Sequence, residues 1–270
     1  MSAIAKQLLA SSNLVLQDAD AGKRPFDELG TKEAMRLETG SLSEQIAVFQ
    51  DMLYAQHQHK LLVILQGMDT SGKDGTVKAV FGQLNPAGVR SVSFKAPSAT
   101  ELAHDFLWRI HQHVPAAGEV VIFNRSHYED VLITKVHAWI DEAECKRRYA
   151  HINAFERMLS ETGTTILKFF LHISKDEQKQ RLEARIADPN KHWKFDPQDL
   201  SERKLWADYQ ATYQDAIRAT HTEHAPWHII PADSKTQRNL AIAHIVADKL
   251  AAMELAYPAA NPAYYKLKVD

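Results

Sequence analysis

A single segment of the chain combines the signals of a buried strand, a glycine-containing loop and a helix. Leu61 to Leu65 form an apolar run of strand length, Gly67 to Lys73 match the pattern Gly-x-x-x-x-Gly-Lys, and apolar residues at helical spacing follow Thr76. In such a segment the backbone N–H groups of the loop and the helix N-terminus point at one place and favour an anion there. The segment therefore predicts a phosphate-binding loop in which Lys73 reaches a terminal phosphoryl group. A glycine-rich turn with a solvated lysine is the alternative.

The loop departs from the common phosphate-loop pattern at the position after the lysine. A Ser or Thr hydroxyl usually stands there and ligates magnesium, whereas Asp74 stands there in this chain, and a second carboxylate, Asp69, lies inside the loop. If magnesium binds here, we expect a carboxylate to hold it. The other loop positions that the pattern assigns to phosphate binding are Gly67, Met68, Thr70, Ser71, Gly72, Asp74 and Gly75.

The composition limits the classes of protein to which the chain can belong. Its 270 residues are 45% hydrophobic and 24% charged, which is typical of a globular protein. With 32 Lys and Arg against 34 Asp and Glu, the chain has no overall attraction for nucleic acid or an anionic membrane, so a polyanion site must be a local basic cluster. The single Cys145 excludes an internal disulfide and a cysteine-ligated zinc site. The N-terminus lacks the pattern of a signal peptide, and we expect a cytoplasmic protein.

Apolar runs and helical periods alternate along the chain, which predicts an α/β fold in three layers around a central, mostly parallel sheet of five strands. The predicted strands are 61–65, 89–94, 119–123, 164–172 and 227–230. We expect residues 1–40 to form an N-terminal arm, residues 41–256 the main domain and residues 257–270 a C-terminal tail. Helices are predicted to start at Ser41-x-x-Glu44, Ser98-x-x-Glu101, Asp141-x-x-Glu144 and Ser174-x-x-Glu177.

A dense polar cluster, Asn124 to Asp130, follows the third predicted strand. Ligands of open parallel sheets bind at the carboxyl ends of the strands, so this cluster and the loop Gly67 to Lys73 are expected to face one crevice. Taken one at a time, these polar residues are equally consistent with capping or solvated positions.

A helix, a basic loop and a second helix at about 175–215 have the layout of a lid. A phosphotransferase needs a lid because water must be excluded and cations must neutralise the phosphoryl oxygens. The candidate cations are Arg181, Arg185, Lys191 and Lys194, and a solvated basic face is the alternative.

Three motifs in this order resemble polyphosphate kinase family 2. They are Gly67 to Gly75, Phe123 to Asp130, and Asp188-Pro189-x-Lys191-x-Trp193-Lys194, and the similarity extends from about Ser41 to Tyr257. The resemblance implies a P-loop kinase-like core with a helical lid. It also implies magnesium as cofactor, and inorganic polyphosphate and nucleotides as substrates.

The resemblance also implies roles for individual residues. Lys73 would engage the phosphate chain at the transfer point, and Asp69 would hold magnesium. Asp69 would also help to orient or deprotonate the acceptor. Arg125 and Arg185 would clamp the phosphates.

The residues after the third strand resemble a subgroup of that family. Asn124 stands where many members have Asp, and together with Glu129 it resembles the class III members, which accept both AMP and ADP. Glu129 is expected on the substrate side, with His127 and Tyr128 beside it. The resemblance further suggests a homotetramer or a dimer, with which the aromatic C-terminal tail is compatible.

Two other classes of protein share parts of this pattern. A nucleoside or nucleoside monophosphate kinase that uses ATP has the same loop, lid and fold, but it normally keeps a hydroxyl where this chain has Asp74. A phosphate-loop protein that binds nucleic acid without catalysis would carry a basic stripe or interleaved aromatic residues, and neither is evident.

Overall fold

A parallel sheet of five strands forms the centre of the structure, a computed structural model that describes residues 3–269. The strands are β1 (Lys60–Gln66), β2 (Val89–Ser93), β3 (Val120–Asn124), β4 (Thr164–His172) and β5 (Trp227–Pro231). Their order is β2-β3-β1-β4-β5, and every neighbouring pair is parallel. The predicted five-stranded α/β fold is confirmed, with a sheet that is entirely parallel.

Helices cover both faces of this sheet. Leu61 to Leu65 of β1 are all fully buried, although successive side chains of a strand point to opposite faces, so both faces must be covered. The α-helices are α1 (Ala3–Gln7), α2 (Lys32–Gln56), α3 (Lys73–Phe81), α4 (Ala99–Leu102), α5 (Trp108–His111), α6 (Ile133–Val136), α7 (Glu142–Glu161), α8 (Lys175–Ile186), α9 (Gln198–Lys204), α10 (Trp206–Thr220) and α11 (Lys235–Ala251). Helices α2, α3 and α11 contact one another, and α6, α7 and α10 form a second group.

Several helix boundaries differ from the sequence predictions. The starts at Ser98, Asp141 and Ser174 are confirmed, because each side chain accepts a hydrogen bond from the backbone N–H three residues later. The start at Ser41 is wrong, since α2 begins at Lys32 and is capped by Thr31. Buried positions recur through α2 at helical spacing from Met35 onward and continue the helix across residues 40 and 41.

Two other predicted helices are each divided in two. The helix expected from Ser98 toward His113 ends at Leu102 and resumes at Trp108. The second helix of the lid is α9 followed by α10, separated at Leu205.

Within residues 3–269, no helix combines the length and apolarity needed to cross a bilayer.

A fully buried ion pair lies beneath the loop that follows β3. Lys168 Nζ of β4 is 2.6 Å from Glu156 Oε2 of α7, and neither side chain is exposed. The ammonium also donates to the Tyr128 hydroxyl and to the Thr220 carbonyl, both at 2.8 Å. Burial alone would raise the pKa of Glu156, but Lys168 and His127 hold it below its ordinary value. Burial lowers the pKa of Lys168, and Glu156 opposes that shift only in part.

We expect Lys168→Met to destabilise the fold by about 3–5 kcal/mol, because it leaves the Glu156 carboxylate buried without a counter-charge. The free energy of unfolding, measured with urea, checks this expectation. The double variant Lys168→Met, Glu156→Gln should recover part of the loss, since the amide still accepts hydrogen bonds without a charge. A loss below about 1 kcal/mol in the single variant would contradict the prediction.

Candidate active site

The loop between β1 and α3 has backbone conformations that require glycine at two positions. Gly67 has φ +152°, and a Cβ there would lie 2.6 Å from the Leu171 carbonyl oxygen. Gly72 has φ +104°, and a Cβ there would collide with the guanidinium of Arg238. Both positions therefore exclude a side chain, which explains the two glycines of the motif.

Lys73 is the first residue of α3 and lies in the mouth of this loop. Its ammonium is buried and donates to the carbonyl oxygens of Gly67 at 2.7 Å and Met68 at 3.3 Å. Burial, together with the nearby Arg125, lowers the pKa of Lys73 to about 8, against the opposing effect of neighbouring carboxylates. The loop thus holds a cation beside its backbone N–H groups, which is the arrangement that binds phosphate.

The loop after β3 lies directly beside the phosphate loop. Leu65 of β1 pairs with Asn124 of β3, so the two strands end at the same level of the sheet. Arg125, the next residue, has φ +62° and donates from Nη2 to Asp69 Oδ1 at 2.6 Å. The expectation that both loops face one crevice is met, and Arg125 with Asp69 forms the contact between them.

A second contact joins the two loops at the position where other phosphate loops have a hydroxyl. Asn124 Nδ2 donates to Asp74 Oδ1 at 2.6 Å, and Lys194 Nζ is 3.6 Å from Asp74 Oδ2. Asp74 therefore connects helix α3 to β3 and to the lid.

The lid consists of α8, a 3-10 turn at Pro189–Lys194, α9 and α10. Arg185 Nη1 donates to the Lys194 carbonyl at 2.8 Å and lies 3.5 Å from Asp199 Oδ2, so α8, the turn and α9 are tied together. With the phosphate loop and Arg125, the lid lines an open cavity of about 500 Å³. The lid residues that line it are Arg185, Trp193, Lys194, Asp196 and Asp199.

A smaller cavity of about 160 Å³ adjoins the first one. Both cavities are lined by the same four residues, Asp69, Arg125, Asp196 and Asp199. The residues that line only the smaller cavity include Glu129, Gln198, Glu202, Tyr209 and Tyr213. The crevice thus has a cationic chamber and an aromatic, acidic chamber, which meet at Asp69 and Arg125.

Carboxylates stand close together where the two chambers meet. Burial and the charges of Asp69 and Asp196 raise the pKa of Asp199 to about 6, although Arg185 and Arg125 oppose this. Burial alone would lower the pKa of Arg125, but Glu129 and Asp69 raise it overall. The junction therefore has an excess of negative charge that a bound cation would offset.

Five of the predicted substrate residues line neither chamber, and they are Ser71, His127, Tyr128, Arg181 and Lys191. His127 and Tyr128 are fully buried, and both bond to Glu156, through His127 Nε2 at 3.2 Å and the Tyr128 hydroxyl at 2.8 Å. The Ser126 side chain caps a 3-10 turn at His127–Val131, and this turn directs both rings into the core. Arg181 also faces away from the crevice.

The guanidinium of Arg181 is occupied by backbone oxygens on the outer side of the phosphate loop. It donates to the carbonyls of Thr70 and Ser71 at 2.9 and 3.2 Å, and to those of Ala232 and Asp233 at 2.7 and 2.8 Å. Lys191 is paired with Asp188 at 2.8 Å on the exposed surface and lines neither chamber. Arg181 and Lys191 therefore make local structural contacts and do not line the crevice.

The sequence analysis missed a second arginine behind the phosphate loop. Arg238 of α11 is 2% exposed and donates from Nη1 to the Ser71 carbonyl at 2.9 Å. Burial and the neighbouring Arg181 lower the pKa of Arg238 to about 9. Two guanidiniums, those of Arg181 and Arg238, thus hold the carbonyl of Ser71 from outside the loop. The available signal was a charged residue next to the apolar run Leu240 to Ala243 of this helix.

The chain has a parallel sheet of this order, a Gly-x-x-x-x-Gly-Lys loop after β1 and a lid over the carboxyl ends of the strands. These features define a phosphate-loop α/β protein of the kinase type. The sequence profile of the family described as Polyphosphate kinase 2 matches residues 30–258. The chain belongs to the polyphosphate kinase 2 family.

Individual relatives agree with this assignment. The chain is 50% identical over 241 residues to the AMP/ADP-polyphosphate phosphotransferase of Meiothermus ruber, covering 89% of this chain and 90% of that protein. It is 42% identical over 235 residues to the ADP-polyphosphate phosphotransferase of Rhodopseudomonas palustris, covering 83% and 81%. The crystal structure of polyphosphate kinase 2 from Arthrobacter aurescens superimposes with a TM-score of 0.91 at 44% identity, over 99% of this chain and 94% of that one.

We expect Arg238→Gln to weaken the binding of inorganic tripolyphosphate about tenfold, because a charge-assisted hydrogen bond that orients the Ser71 carbonyl is lost. Titration calorimetry measures this affinity. Arg238→Lys, which keeps the charge but not the planar fork, should fall between the wild type and the glutamine variant. The matched control is Arg36→Gln, at an exposed position of α2 where Arg36 pairs with Glu33. An affinity unchanged by Arg238→Gln would show that the arginine does not support the loop.

Proposed function

We propose that this protein transfers the terminal phosphoryl group of inorganic polyphosphate to AMP and ADP, forming ADP and ATP, and also catalyses the reverse reaction. In the forward step a phosphate oxygen of the nucleotide bonds to the terminal phosphorus, and the bridging P–O bond to the rest of the polyphosphate breaks. The observation that carries the proposal is the meeting of a cationic and an aromatic chamber at Asp69 and Arg125. Membership of the family and the 50% identity to a protein named AMP/ADP-polyphosphate phosphotransferase support it.

The cationic chamber suits the phosphate chain. Lys73 and Arg125 lie at its inner end, Arg185 and Lys194 come from the lid, and Lys95 lies near β2. Phosphoryl transfer depends on positioning and on neutralising the charge of the transferred group, and these cations supply both. The lid excludes water that would otherwise compete with the nucleotide.

The smaller chamber suits the nucleotide. Tyr209 and Tyr213 offer aromatic surface, and Glu129 and Glu202 offer carboxylates that accept hydrogen bonds from amino or hydroxyl groups. Asp69 stands between the chambers, where it can orient the attacking phosphate oxygen. Glu129 remains a substrate-side residue in this proposal.

Magnesium is the metal that the proposal includes, and Asp69 is the residue that would hold it. Carboxylate oxygens are ligands that magnesium prefers, and Asp69, Asp196 and Asp199 all line the place where the two chambers meet. Within residues 3–269, no group of three or more His, Cys, Asp or Glu is arranged to hold a metal ion by itself. Magnesium is commonly held by one or two carboxylates together with substrate phosphates and water. Bound there, it would neutralise charge on the phosphate oxygens.

The proposal also includes a homo-oligomer, a tetramer or a dimer, and a cytoplasmic location, where its nucleotide substrates are found. Large side chains of the C-terminal tail support self-association because they are exposed in the single chain. They are Tyr257, Tyr264, Tyr265 and Leu267.

A coupled ATP assay with magnesium and long-chain polyphosphate, offering AMP and ADP separately, tests the function. We expect ATP from both acceptors, and we expect Lys73→Ala to lower both rates about a hundredfold or more because it removes a cation from the transfer point. Lys179→Ala is the control, at an exposed position of α8 paired with Glu183.

Two results of this assay would contradict the proposal. ATP formed from ADP alone would show that Asn124 and Glu129 do not mark an enzyme that accepts both nucleotides. Transfer from ATP to a nucleoside or nucleotide, with none from polyphosphate, would identify the protein as an ATP-dependent kinase instead.

We expect Arg185→Glu to raise the KM for polyphosphate at least about tenfold, since it replaces a lid cation of the cationic chamber with an anion that faces Asp199. The KM for ADP should change less, because the nucleotide is assigned to the other chamber. Steady-state kinetics measure both constants, with Lys179→Glu as the matched charge reversal on the exposed side of α8. A polyphosphate KM equal to that of the wild type would show that Arg185 does not contribute to the polyphosphate site.

A further inference from the structure

Three residues that line the smaller chamber are joined through one carboxylate of the lid. Glu202 of α9 accepts a hydrogen bond from the Tyr209 hydroxyl at 2.7 Å on Oε2 and from Gln198 Nε2 at 2.5 Å on Oε1. All three residues line the chamber. The direction of the Tyr209 ring, which in the proposed function offers aromatic surface to the nucleotide, therefore depends on where Glu202 is held.

A further donor reaches this carboxylate from outside the lid. His137, the residue after α6, lies with Nε2 2.9 Å from Glu202 Oε2. An ionised carboxylate only accepts hydrogen bonds, so His137 donates from Nε2. Within residues 3–269, His137 is the one donor to the Glu202 side chain that does not belong to the lid. This bond therefore joins the lid to the segment that follows β3.

The three hydrogen bonds keep Glu202 charged although it is 8% exposed. Burial alone would raise the pKa of Glu202, but the bonds from Tyr209, Gln198 and His137 lower it overall. An ionised carboxylate has about four acceptor positions, and the protein occupies three of them. The carboxylate of Glu202 thus serves mainly to hold its neighbours in the chamber wall.

The end of α6 fixes the position of His137. The N–H of Ala138 donates to the Lys135 carbonyl at 3.0 Å, and Ala138 has φ +52°, a conformation that glycine usually occupies. The N–H of Trp139 donates to the Thr134 carbonyl at 2.8 Å, which completes the Schellman ending of a helix. The rings of His137 and Trp139 stack with their centroids 5.2 Å apart. The turn and the stacking limit the positions that the imidazole can take.

We propose that His137 is a positioning residue for the nucleotide, because it holds Glu202, and through it Tyr209, in the wall of the smaller chamber. His137 itself lines neither chamber. The inference rests on the proposed function. It concerns the acceptor side of the reaction, since Gln198, Glu202 and Tyr209 do not line the cationic chamber.

Titration calorimetry with ADP and magnesium in the absence of polyphosphate, together with steady-state kinetics, tests the proposal. His137→Phe keeps a ring that can stack on Trp139 but has no donor. We expect it to weaken ADP binding at least about fivefold, because a charge-assisted hydrogen bond is lost. The KM for ADP should rise by a similar factor, whereas the KM for polyphosphate should stay close to that of the wild type.

Two amide variants separate the hydrogen bond from packing. His137→Gln should keep the ADP affinity near that of the wild type, because its amide nitrogen reaches about as far as Nε2. His137→Asn, which is shorter by one methylene, should lose affinity as His137→Phe does. This pair keeps the test decisive if the phenylalanine variant folds poorly.

A second background and a matched control complete the design. In a Glu202→Ala background, His137→Phe should cause no further loss of ADP affinity, since His137 acts through that carboxylate. The control is His104→Phe, because His104 also stacks on a tryptophan, Trp108, and lines neither chamber.

Three results would overturn the proposal. An ADP affinity unchanged by both His137→Phe and His137→Asn would show that the bond to Glu202 positions nothing. An equal rise in the KM for ADP and for polyphosphate would show that His137 only supports the lid as a whole. A further loss in the Glu202→Ala background would show that His137 acts by another route.

A failure of the proposed function would look different. A wild-type protein that binds ADP but forms no ATP from polyphosphate would refute the transfer reaction. The dissociation constants of ADP, measured without polyphosphate, would still decide whether His137 positions the nucleotide.

Discussion

The parallel pairing of β1 with β3 is the interaction on which the crevice depends. It aligns Leu65 with Asn124, so the phosphate loop and the polar loop after β3 leave the sheet side by side. Without this register, Asp69 and Arg125 would not come within 2.6 Å of each other. Because the strands are buried on both faces, the crevice at their carboxyl ends rests on a rigid support.

Arginines and lysines stabilise the loops of this crevice from behind as well as from within. Arg181 and Arg238 hold carbonyl oxygens of the phosphate loop on its outer side, while Lys73 lies inside its mouth. The ion pair of Lys168 with Glu156 supports the loop after β3 from the core. Cations outside the crevice therefore help to fix the conformation of the loops that line it.

Much of the fold could be predicted because its signals are local. The strand at 164–172 and the helix starts at Ser98, Asp141 and Ser174 are confirmed, since each depends on residues within a few positions of one another. The extension of α2 back to Lys32 was missed because tertiary packing of its buried face overrides the capping signal at Ser41.

The amino-acid sequence by itself determined the phosphate loop, the alternation of strands and helices, and the family, since these depend on short patterns and on spacing. Only the tertiary structure decided which polar side chains face the crevice. His127 and Tyr128 turn inward because Glu156, 29 and 28 residues away, lies in the core beneath them. Arg238 supports Ser71 across 167 residues of sequence. Hydrogen bonds between distant parts of the chain leave no periodic trace in the sequence, so the direction of these side chains depends on the folded packing.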